Sequence, residues 1–191
     1  MNPVNDFFNN KKVRAVFLKL RYPLFLLLLL LLLTQLEPRW FVPGLLVSML
    51  GELFQIWCFS TIKTQKQLTC TGPYRFLRNP MYIGRFFLIF GVLMMTGNPW
   101  ILAGFALLYY FYMINRVRRE EKKLRQLFGE AYDAYCQSVN RYIPTVKNFR
   151  GQNLTAVSWE SFFQNNAHLN ILLVICCYLV LFFAAFVWPV G

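Results

Sequence analysis

Acidic residues are scarce in this chain: eight Asp and Glu stand against twenty Lys and Arg in 191 residues, with a single histidine, His168. The five cysteines (Cys58, Cys70, Cys136, Cys176 and Cys177) form neither a CxxC nor a Cys/His ligand spacing. That excludes a protein-bound zinc centre of the usual kind, so no metal site is expected, and no disulfide framework either. Charged residues of both signs make up only 15% of the chain while 57% is hydrophobic. A soluble domain of this length would need more polar surface, which leaves a polytopic membrane protein. The net charge of +12 would suit nucleic acid. However, the basic residues flank apolar runs and no nucleic-acid-binding motif accompanies them, so the lipid bilayer is the expected partner and nucleic acid is not.

What is present is a series of apolar spans. A basic tail (1–21) precedes a run from Leu24 to Leu36 that holds eight consecutive leucines, Leu26 to Leu33. The following Thr34-Gln35-Leu36-Glu37-Pro38 offers no small-x-small cleavage site, so the run reads as a first transmembrane helix rather than a cleaved leader. A second span is expected from Trp40 to Ile62, a third from Pro80 to Thr96 and a fourth from Trp100 to Asn115. A fifth runs from Ile171 to Trp188. Spans three and four are short and joined by Gly97-Asn98-Pro99, the pattern of a tight helical hairpin. The loops between spans one and two and between three and four carry one basic residue, Arg39; the other nineteen lie in the tail, in 63–85 and in 116–150. The positive-inside rule places those three regions in the cytoplasm. After Asn115, Leu124, Phe128, Tyr132, Tyr135, Val139 and Tyr142 recur at steps of three or four. This predicts an amphipathic helix, or two broken near Gly129, on the membrane surface or capping the bundle and ended by Pro144.

Three constellations carry polar chemistry. In GPYRFLRNPMYIG (72–84), Asn79 is placed to cap the third span, with Pro80 at its first position, and the free N–H groups there make an anion-accepting end. Gly84 and Gly91 allow close approach of another helix or a ligand. A plain capped loop touching lipid phosphates is the competing reading. Arg116, Glu120 and Glu121 form the second group: Arg116 and Glu120 share a helix face, either as a site or as an ordinary i,i+4 ion pair. Glu52, in the middle of span two, faces the protein interior. It serves either as a functional ionisable group or in a buried helix–helix hydrogen bond, with Gln55 or a Tyr as partner.

The ordered motifs GPYRFLRNPMYIG, REEKKLRQLFGEAYDAY and Arg141-Tyr142-Ile143-Pro144, with GELFQIWCFSTIKTQKQLT before them, resemble the isoprenylcysteine carboxyl methyltransferase family and the related phospholipid methyltransferases. The resemblance spans about Gly51 to Pro144. It implies an integral-membrane enzyme that uses S-adenosylmethionine. By resemblance, Asn79, Pro80, Met81 and Tyr82 contact the cofactor, with Asn79 where the family pattern has histidine. Tyr74 and Glu120 match further cofactor-binding positions, Lys66, Gln67, Leu68 and Thr69 line the pocket, and Arg116 matches an arginine of the substrate site. Asn cannot titrate, so a proton-transfer role at position 79 is lost while binding can persist.

The expectation is therefore an all-α bundle of about five transmembrane helices in a single domain over 1–191. The tail and first span occupy 1–40, the family-like core 51–144 and the C-terminal span 169–189. The active site lies on the cytoplasmic side, in a bacterial inner membrane rather than the endoplasmic reticulum. Its reaction is methylation of a lipophilic, isoprenylcysteine-like carboxylate. Methylation of a phospholipid amine is the alternative, and a non-catalytic scaffold or small transporter centred on Glu52 is the rival of another class.

Overall fold

The computed structural model describes residues 20, 23, 27, 30–63, 67–145 and 156–187. Residues 24–26, 28 and 29 of the first expected span, the basic tail apart from Leu20, and Lys66 lie outside them. The described residues form helices and no strands. These are α1 (Pro38–Thr61), a 3₁₀ turn (Gly72–Arg75), α2 (Pro80–Met94), α3 (Pro99–Phe128), α4 (Glu130–Ser138), α5 (Trp159–Gln164) and α6 (Ala167–Phe182), which runs on into a π-helical turn (Phe183–Val187). Three stretches are long and apolar enough to cross a membrane: α1, α3 and Ala167–Val187. The protein is an integral membrane protein. Leu107, Leu108, Leu172 and Leu173 project from α3 and α6 as exposed apolar side chains, as lipid-facing positions do.

The α1–α2 pair forms the centre of the bundle. Gly44, Ser48 and Gly51 on α1 meet Gly91, Leu88 and Gly84 on α2 in antiparallel register. A Cβ on Gly91 would stand 2.4 Å from the Gly44 carbonyl oxygen, and one on Gly51 would stand 2.6 Å from that of Gly84. The backbones therefore touch, as small residues permit between helices in lipid. Ser48 Oγ adds a hydrogen bond to Leu88 O at 2.7 Å. Close approach at Gly84 and Gly91 is thus the expected one, and α1 is what approaches.

Most helix ends fall within four residues of the sequence reading, and two differ by more. Span four does not end at Asn115: α3 continues unbroken to Phe128, 30 residues in all, about 45 Å at helical rise. The charges of Arg116 to Arg125 lengthen the helix beyond the apolar run because Lys, Arg and Glu are good helix formers. The helix breaks at Gly129, where φ is +51°, a conformation that glycine adopts without the Cβ penalty. The second amphipathic piece, α4, ends at Ser138 rather than at Pro144. The stripe is real nonetheless: Tyr132, Tyr135 and Val139 pack with Leu68, Leu124, Phe128 and Cys136.

At the turn between α2 and α3, Asn98 Oδ1 accepts from Trp100 N at 2.9 Å and from Ile101 N at 3.4 Å, capping α3. The hairpin is held by Phe86 stacked on Phe105, with centroids 5.6 Å apart, and by Tyr109 Oη donating to Tyr82 O at 2.7 Å. Glu52 is buried, and both its oxygens accept from Asn170 Nδ2, at 2.8 and 2.9 Å, with Gln55 Nε2 at 3.4 Å from one of them. The helix–helix hydrogen bond is the reading that the geometry favours, with Asn170 of α6 as the main partner. Between Pro144 and the last span the chain also contains α5. This segment wraps the end of α1: Ser158 N donates to Ser60 O at 2.8 Å, Thr61 Oγ1 to Ala156 O at 2.8 Å, and Asn165 Nδ2 to Phe59 O and Ile62 O, both at 2.9 Å.

Candidate active site

The C-terminal end of α1, the N-terminus of α2, the charged end of α3 and α4 converge on one cavity of about 610 Å³, within the ~300–1,000 Å³ typical of small-molecule sites. Gln67, Leu68, Thr69, Tyr74, Asn79, Met81, Tyr82, Arg116 and Glu120 all line it. Those are the sequence-derived candidates except Lys66, which lies outside the described residues, and Pro80, which is buried at the first position of α2 beside it. They fall in three groups in sequence, 67–69, 74–82 and 116–120, which the α2–α3 hairpin and the α1–α2 contact bring together.

Arg116 and Glu120 stand one turn apart and pair at 3.0 Å. Arg116 Nε also donates to Tyr82 Oη at 3.3 Å. Tyr82 in the first turn of α2 therefore joins the two charged residues of α3 in one cluster facing the cavity. The pair is about two-fifths exposed, so its attraction is screened and it can exchange partners with a ligand.

Tyr74 is fixed through its backbone: Tyr135 Oη donates to Tyr74 O at 2.5 Å. Tyr74 lines the cavity, and its own hydroxyl is buried with no hydrogen-bond partner among the described residues. Burial pushes the phenol well above its ordinary range, so it is a neutral donor. A buried unpaired hydroxyl costs free energy unless something fills its place.

Asn79 departs from the expected cap. It holds the N-cap position of α2, but no side chain caps that helix. Asn79 Nδ2 instead donates to Glu121 Oε1 at 3.4 Å. Glu121 is buried at 3% exposure and also pairs with Arg78 Nη1 at 3.4 Å and with Arg141. Successive residues of α3 thus point different ways: Glu120 into the cavity, Glu121 into the protein behind it.

Sequence reasoning did not assign Phe59, Lys63, Arg119, Lys123, Leu127 or Asn165 to the cavity, although they line it. It also left Leu124, Phe128, Tyr132 and Tyr135 as a surface or capping stripe; that stripe forms one cavity wall. Lys123 and Leu127 lie one and two turns beyond Glu120, so carrying the Arg116–Glu120 spacing onward along the same helix would have found them. Asn165 carries no local signal.

The chain matches the family described as phospholipid methyltransferase over residues 41–131. It is 30% identical over 131 residues to a probable protein-S-isoprenylcysteine O-methyltransferase of Oryza sativa subsp. indica, covering 61% of this chain and 69% of that protein. It is likewise 30% identical over 141 residues to the nickel-cobalt-cadmium resistance protein NccN of Alcaligenes xylosoxydans xylosoxydans, covering 70% and 66%. The human protein-S-isoprenylcysteine O-methyltransferase is 28% identical over 121 residues, covering 57% of this chain and 43% of that longer protein. The matched span contains α1, α2, α3 and the loop with Tyr74 and Asn79.

Proposed function

Since the chain belongs to the phospholipid methyltransferase family and is a membrane methyltransferase, we propose that it methylates the carboxylate of an isoprenylcysteine-like lipid from S-adenosylmethionine, on the cytoplasmic face. The carrying observation is the Tyr82–Arg116–Glu120 cluster on the wall of a cavity that also holds the unpartnered Tyr74 hydroxyl. The gathering of Lys63, Arg78, Arg116, Arg119 and Lys123 at that one end supports the cytoplasmic placement.

The residues present fit the cofactor. The open N-terminus of α2 suits its carboxylate. Glu120 suits its amino group or ribose hydroxyls. Tyr74, and the backbone at Gln67 to Thr69, offer polar contacts, and Leu124, Phe128 and Tyr132 an apolar wall. Bound S-adenosylmethionine supplies a methyl group on a sulfonium: the S–C bond breaks, its electrons remain on sulfur, and an O–C bond forms to the acceptor. Arg116 orients the acceptor carboxylate, exchanging part of its contact with Glu120 for the new anion. A carboxylate is already ionised at neutral pH, so no residue need take a proton. Catalysis then rests on positioning, which contributes several kcal/mol when reacting groups are held in line. Asn79 in place of histidine is compatible with this, because no base is required.

The test begins with calorimetric titration of S-adenosylmethionine into detergent-solubilised protein, beside Glu120→Ala. Saturable binding that the variant loses supports the site; no binding to folded protein refutes it. Labelled methyl transfer then decides the acceptor. Base-labile label on a farnesylcysteine substrate supports the ester. Label in phospholipid headgroups replaces it with amine methylation, the reading that the family's description suggests.

A further inference from the structure

A helix that begins Asn-Pro ordinarily caps itself, because the Asn oxygen accepts from first-turn N–H groups. In α2 it does not, and Glu121 is the reason. This buried carboxylate receives Asn79 Nδ2 at 3.4 Å, Arg78 Nη1 at 3.4 Å and Arg141 Nε at 3.0 Å, with a second contact to Arg141 Nη2. The same segments are tied by backbone: Arg78 N donates to Asn140 O at 3.1 Å and Thr145 N to Phe76 O at 2.9 Å. The loop before α2 is thereby held against the segment after α4, with Glu121 between them.

Two consequences meet at the cavity. The Asn79 side chain, itself on the cavity wall, is turned to Glu121 instead of to the first-turn N–H groups, which leaves the α2 N-terminus without a side-chain cap beside Met81 and Tyr82, both of which line the cavity. Tyr74 lines the same cavity, is 7% exposed as a residue, and carries a buried hydroxyl with no hydrogen-bond partner among the described residues, an independent pointer to a ligand there. We propose that Glu121 is a positioning residue that, latched by Arg141, holds Asn79 away from capping α2 and so reserves the helix N-terminus for the carboxylate of the bound cofactor. This rests on the reading of the cavity as the cofactor site.

The idea has a sign that simple electrostatics lacks. Removing the Glu121 charge leaves the site more positive, which by Coulomb attraction would tighten an anionic ligand. Positioning predicts the reverse, because a released Asn79 competes for the same N–H groups. The probes are S-adenosylhomocysteine and its decarboxylated analogue, which keeps the amine and differs only in lacking the carboxylate. Calorimetry reads the ratio of their affinities, a quantity that general damage to the fold does not move.

Wild type is expected to favour the carboxylated ligand. Glu121→Gln should shrink that ratio about 5–10-fold, the scale of one helix cap, with little change for the analogue. Asn79→Ala with Glu121→Gln, which has no cap to release, should restore the ratio. If Glu121→Gln does not fold, Arg141→Lys keeps the buried carboxylate paired but loses the two-pronged contact, and the ratio should fall with it. A ratio unchanged or raised in Glu121→Gln, or unrestored in the double variant, overturns the inference. Folded wild type that binds neither probe fails at the earlier step, the cofactor site itself.

Discussion

Gly91 and Gly44 lie back to back, close enough that a Cβ on either would stand 2.4 Å from the other's carbonyl oxygen. The obstacle is backbone on both sides, so no side chain can swing away. Gly91→Ala should therefore push α2 off α1 and cost about 1–3 kcal/mol, the usual toll of overpacking. Thermal unfolding in detergent reads the loss. Cofactor binding should weaken in parallel, since the contact seats the helix that begins at Pro80. Unchanged stability would mean that the pair is looser than described.

Glu52 separates the enzyme from the transporter reading. Its two oxygens both accept from one Asn170 amide, so it joins α1 to α6. Glu52→Gln keeps a carbonyl acceptor and should retain methyl transfer within a few-fold. Asn170→Leu, which strands a buried carboxyl, should cost about 1–3 kcal/mol. Loss of all activity in Glu52→Gln with stability intact would return the residue to a functional role.

Tyr74→Phe removes a hydroxyl that has no protein partner. The protein should lose no stability and could gain some, because a buried unsatisfied group disappears. The cofactor should bind about 5–10-fold more weakly, on the scale of one hydrogen bond. Calorimetry beside a melting curve separates the two effects; equal cofactor affinity would place the hydroxyl outside the ligand's reach.

Burial raises the Tyr135 phenol, and the Tyr74 phenol with it, above the ordinary value. The unfolded chain ionises near pH 10, while the folded chain holds its protons longer. The folded state thus keeps this contribution in full below about pH 10 and loses it as pH rises towards the raised values. The melting temperature should fall above that point. Tyr135→Phe should lower the neutral-pH plateau, by losing the bond to Tyr74 O, and flatten the alkaline fall. An alkaline fall as steep as in wild type would assign it to other groups.

The helical architecture was legible because apolar runs and punctuation at Pro80, Gly97 and Gly129 are local signals. The site was legible through motifs, and through helical spacing for Arg116 and Glu120. Two kinds of information escaped. The break at Gly129 was legible, but the fusion of span four with the amphipathic helix into one unbroken α3 was not, because hydropathy stops at Asn115 while helix propensity does not. The partners of Glu121, Glu52 and Asn165 are set by packing between distant segments. Asn79 shows the difference most clearly: its cap propensity is read from neighbours, whereas Glu121, 42 residues away, redirects it.

Asn165 lines the cavity wall and binds the carbonyls of Phe59 and Ile62 at the end of α1. The chain is made from its N-terminus, so α1, α2 and α3 are all synthesised before this residue leaves the ribosome. Until then the last turn of α1 lacks its clasp and the pocket lacks a wall. A nascent chain arrested before α5 would carry every motif residue yet hold an incomplete site. On the proposed function, a half-made copy in the membrane should hold the methyl donor less well than the finished chain.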